Sequence, residues 1–371
     1  MMSLLSLETK HLILKGFEED NINNPFIYHM SLKNSYSLGD KVTPMGAAFY
    51  IAPFVNAICR SGTLEEKELI FKSMLTHEAF KEILSTKRGH KLGEMEKVVD
   101  QALRVATNVK NRQTKAQDAG LEFLEHMIED NNMLSHKALV FLLEPGQVDA
   151  AVRGLVANKF MAKYQRPCCI LTKVTENNSI SYQGSARGYD KSGITNFKDI
   201  CAGFDQIEYV AGHQGAFGLG IPENAASAFI EYLDEVLKDT DSTPKYLVDF
   251  IYDDITECKY NDILAIAKLD DLWGNDMSEP YIVLKDLEIS PKDVTVYTKK
   301  GNTLKISLKN RIDMIQFRAS DDLCELLQKN EYGYVTLDVV VKCAKNEWMG
   351  RVSPQFIIED YVIKNETQYC F

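Results

Sequence analysis

The chain of 371 residues has no apolar run long enough to span a bilayer. Its N-terminus lacks a charged segment followed by an apolar core, the pattern of a secretory leader. We therefore expect a cytoplasmic protein with no membrane partner. No C-x-x-C pair occurs. The eight cysteines are scattered, and only Cys168 and Cys169 are adjacent, which argues against a disulfide framework or a thiolate zinc site. Basic residues are not in excess either. The formal charge of −11 speaks against a general nucleic-acid coat protein, although a local basic groove remains compatible with it. There is no internal repeat and no low-complexity tract.

What is present reads as a soluble globular chain, 45% hydrophobic and 26% charged, long enough for about two or three domains. "SLLSLETKHLILKGF" predicts a short helix, and "MGAAFYIAPFVNAICRSG" a buried one. Thr63 and Glu66 have capping-box spacing and open the next helix. A long helix is predicted from Met95 to Met127, with the apolar stripe Val98, Val99, Ala102, Ala106, Val109, Ala116, Ala119 and Phe123. Arg112 and Gln113 interrupt that stripe. Polar side chains pointing inward either satisfy buried groups or line a cleft. Alternating strands and helices follow: "KALVFLL", "QVDAAVRGLVANKFMAKY", "PCCILTKV", "SISYQGSARGY", "TNFKDICAGF" and "ENAASAFIEYLDEVL". They describe an α/β domain. After the polar linker "KDTDSTPK", about five strands interrupted by one helix near "YNDILAIAKLDDL" suggest a small β-barrel.

Three motifs stand out. "YVAGHQGAFGLGIP" sets His213 among Gly212, Gly215 and Gly218. It is either a tight strand connection around a satisfied histidine, or a phosphate contact in which glycine amides approach an anion and the imidazole donates to it. "GSAR" supplies a hydroxyl, Ser185, and a fork of donors, Arg187, suited to phosphate. In "NAICRSG", Arg60 ends a run of small residues with little reason to carry a charge unless it faces a cleft. Lys159, Lys163 and Arg166 have the spacing of one helical face, either solvated or a rail for a nucleic-acid backbone.

Taken in order, these features resemble the C-terminal two-thirds of RecJ-type single-strand DNA exonucleases of the DHH phosphoesterase superfamily. "IAPFVNAICR" is similar to the family's I-A-P-R-x-N-A-x-G-R. "NVKNRQ" is similar to N-x-x-R-Q, "KYQRP" with "QGSARG" to Y-x-R-P followed by G-S-x-R, and "AGHQGAFG" to the DHHA1 signature G-G-H-x-x-A-A-G. "WGNDMSEP", "LKISL" and "NEWMG" resemble its OB domain. The resemblance implies a helical connector over 1–135, an α/β DHHA1-type domain with a long connecting helix over 136–240, and an all-β OB-fold barrel over 241–371. It also implies a substrate-phosphate site made of Arg60, Arg112, Gln113, Ser185, Arg187, Gly212 and His213, with Lys159, Lys163 and Arg166 as a possible DNA track.

The departures from the pattern bear on activity. Phe54 replaces an arginine, Cys59 and Ala211 replace glycines, and the family's W-H-x-G gives way to "LLEPGQ". None of the seven histidines is adjacent to another, so the family's Asp-His-His triad is missing. The opening segment resembles the stretch that follows the family's last metal-binding aspartate. This chain is therefore expected to bind no metal by itself and to have no catalytic residue of its own, with His213 near the active site. Manganese or magnesium belongs to a DHH domain, supplied by a partner chain or by upstream sequence. The expected function is to bind single-stranded DNA and position it for phosphodiester hydrolysis. A catalytically inactive single-strand-binding adaptor is the alternative. An independent enzyme built on the acidic doublets Asp253–Asp254 and Asp270–Asp271 is a third reading.

Overall fold

The computed structural model describes residues 7–18, 22–38, 42–176, 179–241, 243–270, 272–273, 277–299, 301–329, 333–348 and 350–368. The centre of "WGNDMSEP", Met349 of "NEWMG", Asp271 and the first six residues lie outside them. The chain forms two compact units. Residues 17–245 make one; residues 246–371, together with helix α1 (Leu7–Gly16), make the other.

The larger unit begins with short helices. Asn24 caps α2 (Pro25–Lys33) through its side-chain oxygen, 3.1 Å from the Ile27 amide. After α3 (Ser35–Leu38), Thr43 caps α4 (Pro44–Tyr50) by accepting from Gly46 at 3.0 Å. The single buried helix expected over this stretch is instead two, because α5 (Ala52–Ser61) starts afresh after Ile51. Pro53 has no amide proton to continue the ladder, and its ring crowds the preceding turn. The stretch is also less buried than its composition suggests: Ile51, Ala57 and Ile58 are interior, while Met45, Phe49 and Tyr50 are exposed. Helix α6 (Leu64–Met74) carries the capping box that Thr63 and Glu66 predict. Helix α7 (Thr76–Ala79) and the antiparallel pair β1 (Glu82–Leu84) and β2 (Met95–Lys97) lead into α8 (Val98–Asp130). This 33-residue helix is about 50 Å long. It begins three residues later than the apolar pattern predicts, since Met95–Lys97 pairs as β2. Its first half packs Ala102, Ala106 and Val109 against Phe26, Met30, Ile58 and Ile70.

The second half of α8 belongs to an α/β layer. The elements are β3 (Leu139–Leu143), α9 (Arg153–Tyr164), β4 (Cys168–Glu176), β5 (Ser179–Arg187), α10 (Phe197–Ala202), β6 (Tyr209–His213), β7 (Ala216–Pro222) and α11 (Ala226–Leu237). The sheet order is β3-β4-β5-β7-β6, with β3 and β4 parallel and the other neighbours antiparallel. Period-two alternation gives the sheet two apolar faces. Leu139, Phe141, Cys168 and Ile170 face α9 and the end of α8, where Leu124 and Ile128 pack. Val140, Cys169, Leu171, Ala186, Phe217 and Leu219 share the opposite core with α10 and α11.

In the smaller unit the chain runs through β8 (Phe250–Tyr252), α12 (Tyr260–Ala267), β9 (Ile282–Ile289), β10 (Val294–Tyr297), β11 (Thr303–Ser307), β12 (Asp313–Phe317), α13 (Asp321–Lys329), β13 (Gly333–Trp348) and β14 (Arg351–Gln368). The seven strands have the order β10-β11-β12-β14-β13-β9-β8. The all-β barrel reading needs correction on two counts. Two α-helices bury Ile263 and Ala267 of α12 and Leu323 and Leu327 of α13 in the core, and α13 has no counterpart among the expected helices. The hydrogen-bonded ladder also ends at β8 and β10 among the described residues, so it does not close. Those edge strands are only three and four residues long.

One buried ion pair anchors the β1–β2 hairpin to α8. Glu96 accepts from Gln101 Nε2 at 2.8 Å, from the Thr86 amide at 3.1 Å and from Arg104 Nη2 at 2.5 Å. Burial by itself would raise its pKa. The hydrogen bonds from Gln101 and Thr86 and the Arg104 charge outweigh burial and bring it down to about 2. Its stabilisation, about 3 kcal/mol, is fully present above roughly pH 4.5, the range of an unfolded glutamate, and is lost as pH falls through the folded value. Glu96→Gln should therefore lower the unfolding free energy by about 2–3 kcal/mol at pH 7 and by much less near pH 2.5. Urea unfolding of both proteins at the two pH values measures this; equal losses would show that Glu96 is not held as a carboxylate.

Candidate phosphate-binding site

Arg60 lies exposed in the last turn of α5, whose Ala57 and Ile58 are fixed in the helical core. The end of α5 meets α8 at a cavity of about 260 Å³ lined by Arg60, Ser61, Arg112, Gln113 and Asp149 among others. Gln113 points inward as the broken stripe implies; it is buried and donates to Ser61 Oγ at 3.2 Å. Arg112 does not. It is exposed, and its Nη2 donates to Glu66 Oε2 at 2.8 Å and to the Ser61 carbonyl at 3.0 Å. Glu66 is already oriented by the capping box, so it presents a carboxylate that a guanidinium fork matches. Burial opposes ionisation of Glu66, yet Arg112 and the Thr63 amide hold its pKa below the ordinary range.

Ser185 and Arg187 alternate along β5 and share the face of Ile170 and Cys168, their partners on β4. Helix α9 covers this face and starts beside them. A Cβ on Gly154, the second residue of α9, would stand 2.5 Å from Arg187 Nη2 and 3.6 Å from Ser185 Oγ. The guanidinium thus fills the space that the absent side chain leaves. Arg187 is half-buried and donates from Nη1 to the Ala186 carbonyl at 2.7 Å. Burial lowers its pKa, and the charge of Arg60 lowers it further. Two arginines from distant parts of the chain therefore feel each other, and no carboxylate among the described residues pairs with either. A third, Arg153, is half-buried and donates to the Gln183 carbonyl at 3.1 Å, with Nε buried and unpartnered. Burial lowers its pKa, with Asp149 and Tyr209 opposing. An electropositive corner of this kind favours an anion carrying several acceptor oxygens.

His213 ends β6 and is exposed. It pairs with Ala216, which pairs with Arg187, so His213 and Arg187 share one row and one face two strands apart, about 10 Å. Gly212 has φ of +135°, and a Cβ there would meet the Ala216 carbonyl at 2.8 Å; only glycine allows this tight turn. Its carbonyl accepts from Lys198 Nζ at 3.0 Å.

The basic track is engaged elsewhere. Lys159 lies 3.9 Å from Asp118 and Lys163 2.6 Å from Glu125, both on α8. Arg166 is not on the helix, which ends at Tyr164. Its Nη1 donates to the carbonyls of Leu134 and His136 at 2.9 and 2.6 Å. Sequence reasoning missed Arg153 and Gly154; the signal was an Arg-Gly pair opening a helix. Among the described residues no group of three or more His, Cys, Asp or Glu side chains is placed to hold a metal ion, and no helix is long and apolar enough to cross a membrane.

Residues 253–360 match the RecJ OB domain family. The whole chain is 27% identical over 364 residues to YorK of Bacillus subtilis strain 168, which bears the name of an SPbeta prophage-derived single-strand DNA-specific exonuclease; the match covers 98% of this chain and 62% of that protein. It is 22% identical over 326 residues to the single-stranded-DNA-specific exonuclease RecJ of the same organism, covering 85% of this chain and 36% of RecJ. The chain thus spans about three-fifths of YorK and about a third of RecJ. Its fold is similar to that of RecJ from Thermus thermophilus crystallised with Mn2+, with a TM-score of 0.61 at 17% identity, over 94% of this chain and 46% of that one.

Two outcomes follow from the geometry. Gly154→Ala should push the Arg187 guanidinium aside and weaken binding of an end-phosphorylated oligonucleotide about tenfold, as Arg187→Ala should, while the same strand ending in hydroxyl is affected less. Fluorescence anisotropy reads both, and equal losses on the two strands would refute a phosphate role. Replacing Lys159 and Lys163 by glutamine should leave the salt dependence of binding unchanged, because their charges face α8. A slope flattened by about one unit or more would instead place them on the nucleic-acid backbone.

Proposed function

We propose that this chain, a RecJ-like protein over 98% of its length with a RecJ OB domain at residues 253–360, is the end-binding and strand-positioning portion of a single-strand DNA exonuclease. One observation carries the reading. Arg60 and Arg187 come from two separate elements, and burial together with the nearby Arg60 charge disfavours the charged form of Arg187, while no carboxylate among the described residues pairs with either. Like charges held this way are costly until an anion bridges them, and a terminal phosphate supplies the charge and the acceptors. Ser185 adds a hydroxyl beside Arg187, and His213 stands on the same face. The OB domain would follow the strand through stacking and cation contacts, which fixes the course of the chain without reading its sequence.

Hydrolysis belongs, in this reading, to a DHH-type domain carrying manganese or magnesium. The described residues do not fit such a metal centre, since they bring no three ligating side chains together. This chain's part is then to hold the end, orient the strand and present the terminal phosphodiester.

The purified chain should not degrade labelled single-stranded DNA with manganese or magnesium. Adding a DHH domain from a relative should restore cleavage, and Arg187→Ala should reduce the restored rate on phosphorylated ends. Metal-dependent digestion by protein free of contaminating nuclease would overturn the division of labour. Tight binding with no cleavage under any pairing would identify an adaptor instead.

A further inference from the structure

On the face that carries Ser185 and Arg187, strand β7 presents almost no side chains. The register sets three rows across β5, β7 and β6: Arg187–Ala216–His213, then Ser185–Gly218–Ala211, then Gln183–Gly220–Tyr209. The middle strand of every row is alanine or glycine. The result is a shallow trough, its two sides about 10 Å apart, running along β7 away from the phosphate corner.

Tyr209 occupies the far end of it. Its ring lies in the space that a Gly220 side chain would need, with Cδ1 2.8 Å from the position of that Cβ, and Cε2 3.9 Å from the corresponding position at Gly218. Gly218 is the residue opposite Ser185. The ring therefore reaches the row of the phosphate-binding hydroxyl. One side rests on bare backbone, yet Tyr209 remains 40% exposed. Arg153 lies close enough for its charge to act on the phenol. An aromatic residue on the edge strand β6 that covers the glycines of its neighbour β7 would be explained by packing alone. Packing alone does not call for a ring left 40% exposed at the end of a trough leading from Arg187.

We propose that Tyr209 is the platform on which the terminal nucleobase stacks while its phosphate is held at Ser185 and Arg187. This rests on the phosphate reading above and adds to it a contact to the base. The contact takes any base, since each presents a π-face, and it discriminates against an end that has lost its base. Arg153, beside the ring, favours the adjoining backbone.

The experiment uses the full chain, EDTA and two short end-phosphorylated oligothymidylates, one with a normal terminal nucleotide and one with an abasic site there. The unsubstituted protein should bind the abasic strand about tenfold more weakly, the loss of one base–aromatic stack. Tyr209→Leu keeps apolar cover over Gly220 but removes the π-face. It should weaken binding of the normal strand about tenfold, leave the abasic strand unchanged, and so bring the two together. Tyr209→Phe should retain the full difference. Equal binding of both strands by the unsubstituted protein would overturn the proposal, as would Tyr209→Leu weakening both alike or neither. Arg187→Ala, measured alongside on phosphorylated and hydroxyl ends, separates the two readings. If it discriminates between the ends while Tyr209→Leu does nothing, only the stacking role falls. If it does not discriminate, the phosphate site falls and the stacking proposal with it.

Discussion

Helix α8 carries Ala102, Ala106 and Val109 into the core of the helical bundle and Leu124 and Ile128 into the core beneath the sheet. A single unbroken helix is stiff over this length, so the two cores cannot shift independently. The end of α5 packs on the first half and α9 on the second. At Gly120 a Cβ would lie only 3.3 Å from Val148 and 3.5 Å from Val156, so the helix admits the α9 region to close range. Arg60 is fixed by one core, and Arg153 and Arg187 by the other. Their convergence follows from α8 belonging to both.

This arrangement accounts for a cationic corner in a chain of net charge −11. Elsewhere on this unit, lysines and arginines sit beside acids: Arg112 on Glu66, Lys163 on Glu125, Lys173 on Glu223. Those pairs are partly exposed and contribute little to stability, but they neutralise the surface locally. Arg60, Arg153 and Arg187 have no such ion pair among the described residues. Burial of Arg153 and Arg187 makes their charges costlier than at the surface, and that cost makes an incoming anion favourable. The glycines serve the same end. Gly154 gives Arg187 its place, and Gly218 and Gly220 keep the floor beside it at backbone height.

The smaller unit solves a different problem. β13 and β14 are 16 and 18 residues long and form the spine of its sheet, with register shifts at Thr336/Leu337 and Val340/Val341. Bulges at such points bend long strands and increase their twist, which lets the sheet curl around a core. Helices α12 and α13 add the apolar cover that curling alone does not supply.

Much was legible in the sequence because it depends on neighbours a few residues apart. The capping box at Thr63 and Glu66, the short apolar runs that become β3 and β4, and the tight glycine connection at Gly212 follow from local geometry. The RecJ-like resemblance was carried by short ordered motifs of the same kind. Other features had no local signature. The break at Ile51 was hidden inside a uniformly small, apolar run, although Pro53 marked it. The orientation of Arg112 depended on where α6 would place Glu66, and the engagement of Lys159 and Lys163 on carboxylates of the packed helix α8. The meeting of Arg60 with Arg187 required two hydrophobic cores to be fixed by one helix. Helical and strand periods are set by bonds to nearby residues, so the chain writes them directly. The partner of a charged side chain is set by whichever surface packing brings beside it, and only the tertiary structure decides that.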